Sequence, residues 1–234
     1  MEGLPGHPVR RRVGAGRARG RPVLTARRIV LLRHGRTAHN ADGRIQGQLD
    51  VPLDELGRVQ ADALGTVFAA EPPAAVVSSD LARARDTARA VCEHVGLPLQ
   101  LDERLRETHF GRWQGLTGSE VAAQWPELYA RWRLGDDCPV DGETRLEVGA
   151  RAAACVADHL PSLGAGQTLL LVSHGGTARA LVGTLCALDP GSWWTLAPLG
   201  NTCWTTLVEW EQGWRLERHN TGLGPLLGAP TGAS

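Results

Sequence analysis

The sequence predicts an α/β fold of three layers, α/β/α, with a mostly parallel central sheet. Short runs of β-branched and leucine residues alternate with longer amphipathic stretches, a pattern typical of strands joined by crossover helices. Three of the short runs are apolar almost throughout, as expected of strands buried on both faces. These runs are RIVLLR at 28–33, AAVVSS at 74–79 and TLLLVS at 168–173.

The stretches between these strands carry an apolar period close to that of an α-helix. The predicted helices span 54–70, 81–95, 143–160 and 177–188. Three further short runs are typical of edge or hairpin strands, because they are rich in leucine, threonine and tryptophan. They lie at 97–101, 202–210 and 214–219.

The chain has 234 residues, 42% of them hydrophobic, which is enough for one domain with a full core. We assign that domain to residues 28–220, with a short cap segment at about 112–145. Residues 1–28 hold eight arginines and one acidic residue, and they are rich in Gly and Pro. Residues 1–27 are therefore predicted to be a disordered extension, and residues 221–234 a flexible tail.

The formal net charge is zero, from 25 basic and 25 acidic residues. Outside residues 1–28 the balance is 17 arginines to 24 acidic residues, so the body of the protein is acidic. This predicts neither a nucleic acid nor a membrane as partner, although contact of the basic arm with nucleic acid is a minor alternative. No apolar run is long enough to span a membrane, and the N-terminus lacks the apolar centre of a secretory signal.

The cysteines are five in number, widely spaced and without a CxxC pair, which predicts free thiols in a reducing cytoplasm. They are Cys92, Cys138, Cys155, Cys186 and Cys203. The sequence leaves the assembly open, with a homodimer as one alternative.

Polar residues follow each of the three strongest predicted strands, at 33–35, 78–80 and 173–176. Because ligands of open parallel sheets bind beyond the carboxyl ends of the strands, these clusters are expected to face one crevice. Two of them contain a histidine followed by glycine, His34 and His174. Packing alone does not require this glycine, whereas a bulky anion does, since glycine lets backbone N–H groups approach the anion's oxygens.

Arg83 lies in the first turn of the predicted helix at 81–95, where the helix dipole favours acidic residues. Its charge there indicates an anionic ligand, with Ser79 or Asp80 expected to cap the helix. Glu107 adds a carboxylate in a loop punctuated by glycine. Arg33, Arg83, both histidines and Glu107 together suit phosphoryl transfer through a covalent histidine.

Four segments, LLRHGRTAHN, SSDLARARDTA, LRETHFGRWQG and LLVSHGG, resemble the motifs of the histidine phosphatase superfamily, in its phosphoglycerate mutase-like branch. The resemblance runs from about residue 28 to about residue 210 in the family's order. It implies a phosphoglycerate mutase-like fold and a phosphohistidine mechanism with no metal and no other cofactor. In that mechanism His34 matches the nucleophile and Glu107 the proton donor. Arg33, Arg83 and His174 match the groups that hold the phosphoryl oxygens, while Asn40, Gln46 and Gly175 match substrate-binding positions.

Mutases of this family carry a long insertion between the glutamate and the second histidine. Here Glu107 and His174 are only 67 residues apart, so the resemblance favours hydrolysis of a small phosphomonoester. RIQGQLD, RETHFGRWQG and GNTCW are most similar to the corresponding motifs of glucosyl-3-phosphoglycerate phosphatases. The alternatives are mutase-type transfer, a broad-specificity or α-ribazole phosphatase, a metallohydrolase that uses His34, His39 and His174, and an inactive binding module.

Three further features bear on the substrate. Arg36 departs from the family, which has a small polar residue or Glu or Gln there, and it either favours a second acidic group on the substrate or points to solvent. Trp113, Trp125, Trp132 and Tyr129 are expected mainly to pack together, with stacking on a sugar ring as the role of an exposed tryptophan. The run at 141–143 is expected to form a capping box for the next helix.

Overall fold

Six strands form one mixed sheet in the computed structural model, which describes residues 26–135 and 138–223. The strands are β1 (Arg28–Arg33), β2 (Ala75–Ser78), β3 (Leu99–Leu101), β4 (Thr168–Ser173), β5 (Trp204–Trp210) and β6 (Gly213–Thr221). Their order in the sheet is β3-β2-β4-β1-β5-β6. The first four are mutually parallel, whereas β5 pairs antiparallel with both β1 and β6. The predicted mostly parallel sheet is confirmed.

Seven α-helices connect and flank these strands in the described part of the chain. They are α1 (Ala38–Ala41), α2 (Glu55–Ala70), α3 (Ala82–Val95), α4 (Gly118–Gln124), α5 (Pro126–Leu134), α6 (Arg145–His159) and α7 (Gly175–Leu185). Short 3₁₀ turns lie at Glu103–Leu105, Gly111–Trp113, Leu160–Ser162 and Pro190–Thr195. Within residues 26–135 and 138–223 every helix is too short or too polar to cross a lipid bilayer.

The central strands are apolar on both faces because helices cover both sides of the sheet. Ile29 and Leu31 of β1 pack with α6 and α7, in a core that includes Val156 and Leu181. The alternate residues of the strand, Val30 and Leu32, join a second core with α2 and α3. Successive side chains of a strand point to opposite faces, so continuous apolar runs are what two buried faces require. The predicted three-layer architecture is confirmed.

The N-terminus of α3 differs from the sequence prediction. Its N-cap is Leu81, which offers no capping side chain, and the backbone N–H of Ala82 donates to Asp50 Oδ1 at 2.7 Å. The predicted cap by Ser79 or Asp80 is wrong, because each has another partner. Ser79 Oγ lies 2.9 Å from His174 Nε2, and Asp80 is bonded to the guanidinium of Arg106.

Helix α6 is capped by Thr144, which forms a capping box with Glu147. The box therefore begins directly after residues 141–143, the run at which it was expected. Glu143 instead accepts from Arg151 Nε at 2.9 Å and from the backbone N–H of His109 at 2.8 Å. This carboxylate therefore fastens the loop that carries Glu107, and it does not cap the helix.

Residues 1–25 and 224–234, which contain most of the predicted extension and tail, lie outside the described residues. The domain division itself stays a prediction.

Candidate active site

A cavity of about 160 Å³ lies beyond the carboxyl ends of β1 and β4, beneath the cap helices α4 and α5. Seven of the eight residues predicted for the site line it. They are Arg33, His34, Asn40, Gln46, Arg83, Glu107 and Gly175. The eighth, His174, packs against His34 with 5.1 Å between the ring centroids, but it is not part of the lining. The strand-end clusters at 33–35 and 173–176 thus meet at one site.

His34 is almost fully buried, and both of its ring nitrogens have defined surroundings. Nδ1 lies 2.7 Å from the carbonyl oxygen of Gly35, which can only accept, so the proton of the neutral ring sits on Nδ1. Nε2 then carries the lone pair, and Arg83 Nε–H points at it from 3.3 Å. Burial, and after it the charges of Arg83 and Arg33, lower the pKa of His34 well below its ordinary value. The ring is therefore neutral at physiological pH.

Arg83 is fully buried and held by backbone carbonyls. Its Nη1 donates to Leu49 O at 2.8 Å and its Nη2 to Gly47 O at 2.7 Å. Burial lowers its pKa to about 10, which leaves it charged at neutral pH. Its hydrogen-bond partners among the described residues are carbonyls and an imidazole, so it forms no ion pair there and its positive charge remains available to an anion.

Arg33 lies beside His34 and donates to the carbonyl oxygen of Leu199. Its Nε is buried and has no hydrogen-bond partner among the described residues. Burial lowers its pKa, and the negative charge of Glu107 opposes that shift. Like Arg83, it keeps donor capacity directed at the site.

His174 is the N-cap residue of α7 and is fully buried. Its Nε2 lies 2.9 Å from Ser79 Oγ, whereas its Nδ1 has no partner in the described part of the structure. Burial, then the charges of Arg83, His34, Arg33 and Arg151, lower its pKa well below the ordinary value. Two buried imidazoles thus pack together at an interplanar angle of 58°, near two arginines that lower the pKa of both rings.

Glu107 reaches the first turn of α7, where free backbone N–H groups and the helix dipole favour a carboxylate. Its Oε1 accepts from the N–H groups of Thr108 at 2.8 Å and Thr177 at 3.0 Å. Its Oε2 accepts only from Gly176 N–H, at 3.1 Å, so this oxygen retains a lone pair for a proton. A Cβ on Gly176 would lie 2.6 Å from Oε1, so the approach of Glu107 requires glycine there.

Asn40 and Gln46 are oriented by Thr37. The Thr37 N–H donates to Asn40 Oδ1 at 3.2 Å, and the Thr37 hydroxyl donates to Gln46 Oε1 at 3.0 Å. Asn201 Nδ2 also donates to Asn40 Oδ1, at 3.1 Å. Since the amide oxygens are engaged, the amide NH₂ groups are the ends left to donate to a ligand.

Sequence reasoning missed several residues that hold the site together. Arg151 donates to the carbonyl oxygens of Arg106 at 2.7 Å and Glu107 at 3.0 Å, which fixes the backbone of the Glu107 loop. Asn201 donates to His34 O at 3.1 Å. Gly176 and Asn201 stand within segments already singled out by their resemblance, and Thr177 directly follows one of them. Arg151 lies in the middle of α6 and carries no local signal.

The structure bears on two expectations about the loop after β1. The N–H of Gly35 donates to Thr87 Oγ1 at 3.0 Å, and a Cβ at this position would lie 2.5 Å from Gly57 O. Gly35 is therefore required for close packing against the first turn of α2, and its N–H does not serve an anion. Arg36 pairs with Asp54 at 2.8 Å and is not part of the cavity lining, and its side chain is 34% exposed, so of the two alternatives the structure favours the one toward solvent.

The cap carries an aromatic cluster around the fully buried Trp113. Tyr129 and Trp132 stack with an interplanar angle of 18°, and Phe110 meets Trp132 edge to face at 5.8 Å. Packing explains Trp113, as expected. Phe110, Tyr129 and Trp132 in addition line the cavity, so its cap-side wall is aromatic.

Comparison with known proteins agrees with this geometry. The sequence profile of the histidine phosphatase superfamily (branch 1) matches residues 29–222. The chain belongs to the histidine phosphatase superfamily. This membership, and the predicted phosphatase class, are confirmed.

Two relatives and one solved structure show the range of similarity within the superfamily. Glucosyl-3-phosphoglycerate phosphatase of Mycobacterium tuberculosis is 42% identical over 213 residues, which cover 84% of this chain and 96% of the relative. A 2,3-bisphosphoglycerate-dependent phosphoglycerate mutase 2 of Gloeobacter violaceus is 36% identical over 168 residues, covering 69% and 77%. A solved structure of a mycobacterial glucosyl-3-phosphoglycerate phosphatase with VO3 has a TM-score of 0.80 at 42% identity, covering 84% of this chain and 100% of that one.

Proposed function

We propose that the protein is a metal-independent phosphatase that moves the phosphoryl group of a small metabolite first to His34 Nε2 and then to water. The observation that carries this proposal is the state of His34. It is a buried, neutral imidazole whose Nδ1 proton is held by Gly35 O and whose Nε2 lone pair faces an arginine. A nucleophile needs such a lone pair, and a phosphoryl group needs such a cation beside it.

In the first step Nε2 of His34 attacks phosphorus, the N–P bond forms and the ester P–O bond breaks. Arg33 and Arg83 stabilise the charge that spreads over the phosphoryl oxygens. The amide groups of Asn40 and Gln46, which line the cavity, and Nδ1 of His174, which has no partner among the described residues, would contribute further contacts to those oxygens. Glu107, protonated on Oε2 beside the bound phosphate, gives its proton to the departing alkoxide.

In the second step water attacks the phosphohistidine. The ionised Glu107 takes a proton from the water as the new P–O bond forms and the N–P bond breaks. His34 returns to its neutral form, and inorganic phosphate leaves. The protein thus ends the cycle with the protons and the bonds with which it began.

Hydrolysis is favoured over mutase-type transfer because of the size of the cap. In the described part of the segment between Glu107 and the start of α6, there are two short helices, α4 and α5, and one 3₁₀ turn. So small a cap leaves the phosphohistidine accessible to water. Conversion of 3-phosphoglycerate to its 2-phospho isomer faster than release of phosphate would contradict this choice.

The metallohydrolase alternative requires His34 to bind a cation, and its surroundings oppose that. Nδ1 carries the proton held by Gly35 O, and Nε2 faces the guanidinium of Arg83. Among the described residues, the His, Cys, Asp and Glu side chains close enough to share an ion are Asp102, Cys155 and His159, none of which lines the cavity. Activity lost with EDTA and restored by zinc would contradict the histidine mechanism.

For the substrate we propose glucosyl-3-phosphoglycerate. The similarity to phosphatases of that name supports it, as does the aromatic wall of Phe110, Tyr129 and Trp132, since aromatic rings suit the apolar face of a sugar. The test is a comparison of kcat/KM for glucosyl-3-phosphoglycerate, 3-phosphoglycerate, α-ribazole phosphate and glucose 6-phosphate. We expect the first to exceed the others by at least 10-fold. Equal values of kcat/KM for all four compounds would contradict glucosyl-3-phosphoglycerate as the specific substrate, but they would not contradict phosphatase activity.

We also propose a cytoplasmic location. Cys92, Cys155, Cys186 and Cys203 form no disulfide, as is usual in a reducing compartment. The homodimer stays a prediction.

A further inference from the structure

The cavity carries more positive charge than a phosphate group needs. Among the described residues, five arginines and one carboxylate, that of Glu107, line it. A bound phosphate monoester carries about two negative charges, which Arg33 and Arg83 match. Of the other three arginines, Arg44 is paired with Glu120 at 3.4 Å. Arg145 donates from Nη2 to the carbonyl oxygen of Trp132 at 2.6 Å, which leaves Arg179 unaccounted for.

Arg179 stands out from the other four arginines that line the cavity, each of which donates to a carbonyl oxygen. It makes no hydrogen bond and no ion pair with any residue that the structure describes, and its Nε is fully buried. Two other partly buried arginines, Arg104 and Arg151, bond to the carboxylates of Asp102 and Glu143. Burying a guanidinium without a partner is unfavourable, so its retention at a cavity wall indicates a ligand that supplies the missing anion.

The helical position of Arg179 directs it to the site. It lies on α7, four residues after Gly175 and three after Gly176, so it shares the helix face of these two glycines. Both glycines line the cavity, and Gly176 lies directly against the Glu107 carboxylate. Arg145 borders the same space, where its guanidinium carbon lies 5.3 Å from the centre of the Trp132 ring.

We propose that Arg179 binds a carboxylate of the substrate, in a second anionic subsite of the cavity that holds the phosphate. This inference rests on the proposed phosphatase function and narrows its substrate to phosphomonoesters that also carry a carboxylate close to the ester. A planar guanidinium forms two parallel hydrogen bonds with a carboxylate, which fixes the orientation of the ligand as well as its charge. Glucosyl-3-phosphoglycerate has such a carboxylate on its glycerate carbon chain. Arg179, and not Arg36, is then the cation that recognises the second acidic group.

The test measures binding and needs no turnover. In a His34→Ala protein, which cannot form the phosphohistidine, dissociation constants are measured by calorimetry for 3-phosphoglycerate and for glycerol 3-phosphate. These ligands differ in having a carboxylate or a hydroxymethyl group. We expect the carboxylate to strengthen binding by about 10-fold or more, and the added substitution Arg179→Gln to remove most of that preference.

Arg89→Gln, added to the same His34→Ala protein, is the matched control. Arg89 is an exposed helical arginine, paired with Asp86 at 3.7 Å and outside the cavity lining, and its loss should leave the preference between the ligands intact. An equal preference with and without Arg179 would overturn the inference. Loss of affinity for both ligands by the same factor would also overturn it, since that is the result of a merely structural role. Failure of the wild-type protein to hydrolyse any phosphomonoester would contradict the proposed function, and the binding comparison would still decide the role of Arg179.

Discussion

Arg83 Nε–H points directly at His34 Nε2, 3.3 Å away, while Nδ1 of the same ring is held by Gly35 O at 2.7 Å. The arginine thus has two effects on the proposed nucleophile. It keeps the ring neutral by lowering its pKa, and it marks the place where a phosphoryl oxygen is expected to accept a hydrogen bond. In the proposed mechanism, a phosphoryl oxygen of the bound substrate would accept the N–H of Arg83 in place of His34 Nε2, which would leave the Nε2 lone pair free to attack phosphorus.

Substitution Arg83→Gln should change both the rate and its pH dependence. The loss of one charged donor to the transferring group is expected to lower kcat/KM by about 100-fold to 1,000-fold. The pKa of His34 should rise when the cation is removed, because Arg83 is the largest charge that lowers it after burial itself. Since only neutral His34 attacks, the fall of kcat/KM at acid pH should then begin at a higher pH.

The measurement is a profile of kcat/KM from pH 4 to pH 8 for the wild-type and variant proteins. Arg85→Gln is the control, because Arg85 lies on the same helix and is bonded to Asp86 at 2.9 Å outside the cavity. In Arg85→Gln, the fall of kcat/KM at acid pH should begin at the same pH as in the wild-type protein. An unmoved acid limb in Arg83→Gln would show that the arginine does not govern the protonation of His34.

The buried histidine pair should make the protein less stable in mildly acidic solution. The pKa values of His34 and His174 lie below the ordinary value of 6.5 in the folded protein, so between these values the unfolded chain binds more protons. The contribution of these two histidines to the free energy of unfolding therefore does not change with pH above about pH 7, and it falls as the pH decreases below about 6.5. The slope is at most about 1.4 kcal/mol per pH unit for each histidine.

Urea unfolding at pH 7.5, 6.5, 5.5 and 5.0 measures this slope. A His174→Gln protein lacks one of the two histidines. Between pH 6.5 and 5.5, the change in its free energy of unfolding with pH should be smaller by up to about 1.4 kcal/mol per pH unit. Identical slopes in the two proteins would mean that His174 is protonated in the folded state.

Glu107→Gln should separate esters by their leaving groups. A glutamine cannot donate a proton, so hydrolysis of an alkyl phosphate such as 3-phosphoglycerate is expected to slow by about 100-fold to 10,000-fold. Formation of the phosphohistidine from p-nitrophenyl phosphate should slow far less, because nitrophenolate leaves without a proton. Rapid-quench measurement of the first turnover gives both rates. Equal losses on the two esters would argue that Glu107 does not serve as the acid.

Gly176→Ala tests how the carboxylate is placed. The new methyl carbon would lie 2.6 Å from Glu107 Oε1 and 2.9 Å from Thr108 Oγ1, so the carboxylate has to move. A shift of this kind is expected to lower kcat for alkyl phosphates by about 10-fold to 100-fold. Gly164→Ala is the control, since its methyl would meet only Gln167 at an ordinary 3.5 Å. Full activity in Gly176→Ala would mean that Glu107 needs no such close approach.

Much of the fold could be predicted because it depends on local patterns. The runs at 28–33 and 168–173 became β1 and β4 with the same bounds, since continuous apolar sequence is the direct consequence of two covered faces. The end of α3 at Val95 was also predicted, and in the structure Gly96 follows it in a left-handed conformation that ends the helix. Helices α4 and α5 were not predicted, since their sequence is rich in Trp and polar residues and their stability depends on the aromatic cluster around Trp113.

Site residues that directly follow a strand could be predicted from the sequence. Residues that act through contacts between distant segments could not. His34 and His174 could be placed in one crevice from strand topology alone. Nothing local to Asp50 indicates that it caps α3, and nothing local to Arg151 indicates that it holds the carbonyls beside Glu107. The role expected of Gly35 was wrong for the same reason, because the carbonyl of Gly57 that it accommodates is 22 residues away.

Trapping the phosphoenzyme tests the central claim most directly. Brief reaction with ³²P-labelled substrate, followed by denaturation, should leave phosphate on the wild-type protein that is stable in base and labile in acid. Peptide mapping should locate it on His34, and His34→Ala should carry none while still binding inorganic phosphate. Turnover by wild-type protein without any trapped phosphohistidine, or label that persists in His34→Ala, would contradict the account.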